Sequence, residues 1–296
     1  MREKITDFTF PHSCLSGKHF AMSKGGDAEG RPLRTIFVRP FEGEMIKAGE
    51  IIEIVGHHSL GLSARRTANL LIHNAHGPDL GRAGQEFEIS LAELRGTHCA
   101  NDDLEQDIEA LMKTIVRVKK PDGSVTRFQL LGGNNLADRD RPRGTFTYRF
   151  DPEMVALIRD SGHFAKLDLV VLWSMRSRYA MTLYELVAKR VRLTEVNCQR
   201  WPLDKFRELI GVSGDAYGRF GELNKHVLRP AVDELNFLVP QFSVQLTYEK
   251  QGRRVAFVTL SWWRKSPGEY DLARRELARP KVGRKARQRG QVLETL

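Results

Sequence analysis

The sequence predicts an α+β protein of two tandem winged-helix domains, each a helix-turn-helix followed by a β-hairpin wing. Three observations predict it. Between Trp201 and Trp263, two amphipathic helices separated by a turn precede two alternating strands. The same order of elements recurs, with little residue identity, in the first half of the chain. A length of 296 residues suits about two domains, each able to bury its own core.

In the first half, Ile51, Glu53 and Val55 alternate as a short strand. SARRTANLLIHNA follows as a helix with Ser63 as its candidate N-cap. Ser90 and Glu93 have capping-box spacing around Leu91 and Leu94. Asp102 or Asp103 suits the cap of the next helix, whose apolar stripe is Leu104, Ile108, Leu111 and Ile115. VRVKKPDGSVTRFQLL reads as a hairpin turned by Pro121, Asp122 and Gly123. GTFTYRF alternates Phe146, Tyr148 and Phe150 as a strand. Asp151 and Pro152 then occupy the N-cap and N1 positions of a helix that Ser161 and Gly162 end.

A domain boundary is expected near Gly162. It divides the chain into an N-terminal segment (1–45) read as flexible, a first winged helix (46–162), a second (163–265) and a basic tail (266–296). After the boundary, FAKLDLVVLWSMRSRYAMTLYELVAKR is apolar and reads as helical, with Tyr184, Leu186, Val187 and Val191 supplying the first helix of the second domain.

In PLDKFRELIGV, Leu203, Phe206, Leu209 and Ile210 recur at helical spacing, and Gly211 stands where a helix end takes a residue tolerant of positive φ. The next helix carries the stripe Phe220, Leu223, Val227, Ala231 and Leu235. Pro230 interrupts it, and proline inside a helix costs about 3 kcal/mol. The expectation is a kink near His226 or a break with Pro230 opening a new helix. FSVQLTYE and RRVAFVTLSW alternate as antiparallel strands, joined by a wing loop of Lys250, Gln251, Gly252, Arg253 and Arg254.

The dimensions of duplex DNA turn this plan into a binding hypothesis. A major groove admits one helix, where Arg or Lys can pair with guanine edges and Asn with adenine. Arg219, Asn224, Lys225 and Arg229 lie off the apolar stripe and have suitable donors. Lys250, Arg253 and Arg254 on the wing suit phosphates, which position a protein without much sequence choice. In the first domain, the outward face of the 104–116 helix carries Glu105, Gln106 and Glu109 beside Lys113, so only Lys113, Arg117, Lys119, Lys120 and Arg127 favour DNA. The first domain is therefore expected to touch the backbone or to form a dimer surface, and the second to read bases. For dimerisation, the first-domain hairpin and the domain linker are the expected surface.

The net charge of +10 is unevenly placed. Between Arg274 and Arg289 eight basic residues face one acid, Glu276, giving +7, so the body is only mildly basic. The tail reads as disordered and solvated, with a secondary role in nonspecific phosphate binding. Cys14, Cys99 and Cys198 are few, odd in number and far apart, so they are expected to be reduced, without a disulfide framework or thiolate metal site. No run approaches the roughly 18 apolar residues of a membrane span. MREKITDFTF lacks a signal-peptide core, so a cytoplasmic location and no membrane partner are expected.

SRYAMTLYEL, WPLDKFRELIGV, Tyr217, Phe220, NKHVLRPAVDELN and GRRVAFVTL, in that order, resemble the initiator replication proteins of iteron-bearing plasmids. The likeness is best over about residues 165–262 and follows layout more than sequence over 50–160. It implies two winged helices that bind repeated origin duplexes as a monomer, repress their own gene as a dimer, and recruit a host initiator and helicase in a bacterial cytoplasm. Arg178, within the matched SRYAMTLYEL segment, joins the candidate DNA contacts. One departure is Thr182, where the family usually places a basic residue before the leucine of LYE.

Other chemistries fit less well. A rolling-circle nicking initiator needs a His-apolar-His triplet, whereas adjacent His57 and His58 point to opposite faces of an extended segment. His73 and His76 have helical spacing but no convincing third ligand, and Tyr179 and Tyr184 suit helix packing. No GxxxxGK[ST] pattern exists, and KGG at Lys24 and GVSG at Gly211 lack the phosphate-cradling lysine and hydroxyl. No catalytic site and no cofactor are expected. A winged-helix transcription regulator without a replication role remains the alternative.

Overall fold

The computed structural model describes residues 34–291 apart from 83, 96–100, 120–121, 137–143, 194–195 and 215, together with the side chains of 101–103. Lys120, Cys14, Cys99, the KGG segment and the Asp102/Asp103 cap lie outside the described residues. Cys198 is disulfide-bonded, against the expectation of three reduced thiols.

The first unit opens with β1 (Glu44–Ala48) and the single-turn α1 (Gly49–Ile52). The strand expected over 51–55 does not form: Ile51 and Ile52 are helical and Val55 makes one isolated bridge, to Arg117. EMIKA is the strand instead. Both its faces are buried, so it lacks the period-2 alternation that marks a half-exposed strand. Ahead of it Thr35, Ile36 and Val38 are buried, and the Thr35 amide and hydroxyl both donate to the Ser161 carbonyl, at 2.9 and 3.0 Å.

Next come α2 (Leu62–Asn74), β2 (Phe87–Ser90), α3 (Leu91–Arg95) and α4 (Asn101–Lys113). The helix α2 is capped by Gly61, so Ser63 lies inside it rather than at its N-cap. The Ser90 hydroxyl accepts the Glu93 amide at 3.1 Å, as the capping-box spacing required. The hairpin of β3 (Ile115–Lys119) and β4 (Val125–Gln129) follows. Then β5 (Asn134–Leu136) pairs with β6 (Thr145–Tyr148), which also pairs with β2. The helix α5 (Pro152–Asp160) is capped by Asp151 with proline in its first turn, as expected.

FAKLD is a strand, not a helix. As β7 (Phe164–Asp168) it runs antiparallel to β1, so the two-stranded sheet crosses the boundary expected near Gly162. The short α6 (Leu169–Ser174) and then α7 (Arg178–Ala188) come next, and every residue from Ala180 to Ala188 is buried. Tyr184 stacks on Phe242 of the following unit with ring centroids 5.9 Å apart.

The second unit consists of β8 (Cys198–Pro202), α8 (Leu203–Ile210), α9 (Phe220–Leu223), a π turn (Asn224–Leu228), α10 (Arg229–Leu238), β9 (Phe242–Gln251) and β10 (Arg254–Arg264). Its sheet order is β8-β10-β9, with β8 a strand the sequence did not announce. Pro230 stands in the first turn of α10, directly after a π turn that contains His226, where the sequence expected the kink or break. It lacks an N–H, and its ring clashes with the carbonyl four residues back. The π turn answers this with one extra residue, and the Arg229 amide donates to the Asn224 carbonyl five residues earlier.

Residues 266–288 of the basic tail are folded. Ser266 and Glu269 form a reciprocal capping box that starts α11 (Pro267–Ala278), and α12 (Arg284–Gln288) follows. Glu276, buried, accepts from Arg284 at 3.2 Å and from both arms of Arg287 at 2.7 and 2.8 Å. Burial alone would raise its pKa, but Arg287 and Arg284 hold it below the usual carboxylate range. The composition argument for disorder fails because it counts charges without their partners.

Candidate nucleic-acid interface

The turn between α8 and α9 is shaped by one side chain. Gly211 ends α8 in the left-handed region at φ +75°, and Arg207 donates to the carbonyls of Ser213, Gly214, Ala216 and Tyr217. Tyr217 takes φ +55° and stacks on His226 with centroids 6.3 Å apart. The start of the second helix is thus fixed before any ligand arrives.

Arg219 stands at the N-cap of α9, exposed. Lys225 and Arg229 are exposed on the π turn and the first residue of α10, opposite the buried Leu223, Val227, Leu228 and Ala231. Between them lie Glu222 and His226, whose side chains meet at 3.1 Å. Asn224 differs: it is half-buried, and its Oδ1 accepts the Tyr248 hydroxyl at 2.9 Å. Burial pushes the Tyr248 pKa up to about 12, so the phenol stays a donor at neutral pH. A bidentate adenine contact would compete for that same oxygen. With Phe220 edge-on to the Tyr248 ring at 4.8 Å, this bond ties the helix to the wing.

The wing is longer and tighter than expected. Gln251 pairs with Arg254, so Lys250, Gln251 and Arg254 belong to the strands, leaving a loop of Gly252 and Arg253. Gly252 has φ +62°, as the first central residue of a type II′ hairpin turn requires. Lys250, Arg253 and Arg254 are exposed around this tip. Nearby, Arg200 forks onto Glu249 with two 2.9 Å bonds and lies 3.4 Å from the Phe257 ring centroid. Sequence reading missed Arg200 and Arg207, whose roles depend on neighbours a turn or a strand away.

In the first unit, Arg117 and Arg127 face each other directly across β3 and β4, both exposed, with Lys119 on the same face. Ile115 and Val125 share that face at 58% and 44% exposure. Lys113 is ion-paired with Glu109 on α4. Arg178 is turned inward, donating to the carbonyls of His58 and Leu60 at 2.9 and 3.1 Å and to the Tyr179 hydroxyl at 2.9 Å. Thr182 is buried and accepts from Arg65 at 2.6 Å, so the cation at this place comes from α2. His57 is buried, and His76 Nε2 lies 2.8 Å from the Val38 carbonyl.

Two helices, a turn and a hairpin in this order, twice over, leave the family to be decided by sequence match. Residues 44–188 match the family described as initiator replication protein, WH1, and residues 202–262 match initiator Rep protein, WH2. The chain belongs to the initiator replication protein family. Both winged helices of the family are therefore present, and WH1 extends through α7 rather than ending near Gly162. Among solved structures, the chain is similar to the Pi initiator protein in complex with iteron DNA, at 16% identity and TM-score 0.54, over 76% of this chain and 98% of that one. No curated protein matches the sequence. Within the family frame, the Arg219–Arg229 helix and the 250–254 tip belong to WH2, and the Arg117/Arg127 hairpin to WH1.

Proposed function

We propose that this initiator starts plasmid replication by binding repeated duplex sequences at its origin through both winged helices. WH2 reads bases with Arg219, Lys225 and Arg229 and grips phosphates with Lys250, Arg253 and Arg254. The single observation that carries this reading is the row of exposed cations on the helix beside a cationic wing tip, with the helix-to-wing spacing held by the Tyr248–Asn224 bond. The two together address a groove and its flanking backbone. WH1 adds backbone contacts through Arg117, Lys119 and Arg127. Two arginines placed opposite each other on a sheet repel, and a phosphate between them relieves that repulsion. The bound iteron DNA of the similar Pi initiator supports the same assignment here.

Strand opening then comes from binding and bending and from a recruited host initiator and helicase, and a dimer represses the protein's own gene. Footprinting the purified protein on its gene and the neighbouring DNA tests the proposal. Several evenly phased protected repeats are expected. A single protected promoter palindrome would instead mean a transcription regulator, and phosphodiester cleavage by the protein alone would overturn the non-catalytic reading.

A further inference from the structure

Residues Trp173–Ser177, at the junction of α6 and α7, are held by side chains from three separate parts of the chain. From α2, Arg66 donates to the carbonyls of Trp173 and Met175, at 3.1 and 2.5 Å. From α10, the Glu234 carboxylate accepts the amides of Arg176 and Ser177, at 2.6 and 3.0 Å. From the C-terminal segment, Lys281 donates to the Trp173 carbonyl and Arg284 to that of Ser174, both at 3.1 Å. Glu234 is 8% exposed and Arg284 is 3% exposed. Charges so deeply placed are tolerated only while hydrogen-bonded, so the junction is sound only when WH1, the α9–α10 helix proposed above to read bases (the recognition helix) and the C-terminal segment dock together. The segment lies beyond the family match, which ends at residue 262.

We propose that Glu234 and Arg284 are positioning residues that lock the recognition helix and the C-terminal segment onto WH1 through this loop. They thereby set the spacing at which the two winged helices address one duplex. The inference rests on the two-domain DNA binding proposed above. Neither side chain lies on the exposed face of the recognition helix or on the wing, so loss of either leaves the WH2 surface itself intact.

The test uses full-length Arg284→Ala and the milder Glu234→Gln, each with two readouts. Amide hydrogen exchange without DNA should show faster exchange across 173–178, most of all at Arg176 and Ser177 in Glu234→Gln. Affinity is then compared on a duplex carrying one whole footprinted repeat and on one cut back to the WH2 portion. Whole-repeat binding should fall about tenfold, the scale of a typical coupling energy, while binding to the cut-back duplex stays within about twofold of wild type. Faster exchange with unchanged whole-repeat binding would overturn the proposal, as would equal losses on both duplexes, which would mean support of the WH2 fold alone. If wild-type protein bound no repeat, the DNA reading would fail, and unchanged loop exchange in the variants would separately refute the clasp.

Discussion

Arg219, Lys225 and Arg229 hold different positions along one helix, and substitution should separate their roles. Arg219 sits at the helix start, where unpaired amides already attract anions. Lys225 and Arg229 lie one turn apart further along. Replacing Arg219 or Lys225 by Ala is expected to weaken repeat binding by roughly 1–3 kcal/mol for each base edge the side chain reads. Fluorescence anisotropy against intact and scrambled repeats measures it. Equal weakening on both duplexes would identify a phosphate contact instead, and unchanged binding in both variants would remove the helix from the interface. A buried residue gives a different handle. Burial, then the charges of Arg65 and Lys47, holds the His57 pKa well below the ordinary imidazole value. Near pH 6.5 and below, the unfolded chain takes up a proton that the folded chain refuses. The unfolded state therefore binds more protons there, and stability falls as pH drops, by up to about 1.4 kcal/mol per pH unit from this group. Urea melts across that window should show a shallower slope for His57→Gln. An unchanged slope would mean that His57 charges freely in the fold.

The wing is the element whose removal should leave sequence choice untouched. Arg253→Ala combined with Arg254→Ala is expected to flatten the dependence of log K on log salt by about one for each phosphate no longer neutralised. Altered base preference would move the wing into a reading role. The same elements show what the sequence made legible. The helix α8 was readable because its apolar spacing and a left-handed Gly211 agree, and α5 because Asp151 and Pro152 fill cap positions. The wing strands were readable by alternation, but their length was not, since a turn needs only Gly252 and Arg253 and the remaining polar residues continue the ladder. The strands β1 and β7 hid for opposite reasons. EMIKA is buried on both faces and so does not alternate, while FAKLD runs straight into apolar helical sequence and has its partner far upstream. The place of the irregularity was legible from Pro230, but its π form was not, because Leu223, Val227, Ala231 and Leu235 keep a four-residue step across it. Of the candidate site, Arg219, Lys225, Arg229 and the tip cations stand exposed, whereas Asn224 and Arg178 are engaged with partners that no local pattern reveals.

At the scale of the molecule, α7 is the element on which both units depend. It packs against β7 and α10, and Glu185 on its buried face accepts Lys47 and Asn69, each at 2.9 Å. Lys47 also donates to Asn69 at 2.9 Å, closing a triangle in which each side chain bonds the other two. The ionic pair is 9% exposed at both ends, so water screens it little and its desolvation cost is correspondingly large. Such a pair is weak evidence for stability, because well-packed apolar residues of similar volume often serve as well. Removing one member is another matter. Glu185→Ala leaves the Lys47 ammonium buried without its counter-charge, and a loss of roughly 3–5 kcal/mol is expected in urea unfolding. Replacing both, as Lys47→Met with Glu185→Leu, should recover part of that loss, the remainder being the cost of burying Asn69 without its two partners. The recovered protein then gives the decisive measurement. If the double variant matches wild type in both stability and whole-repeat binding, the triangle is a packing solution with apolar equivalents. If it is stable but binds whole repeats poorly, the polar triangle fixes how α7 sits between the winged helices. A double variant as unstable as Glu185→Ala would show that the bonds of the triangle, those to Asn69 included, rather than the avoidance of a stranded charge, hold this core together.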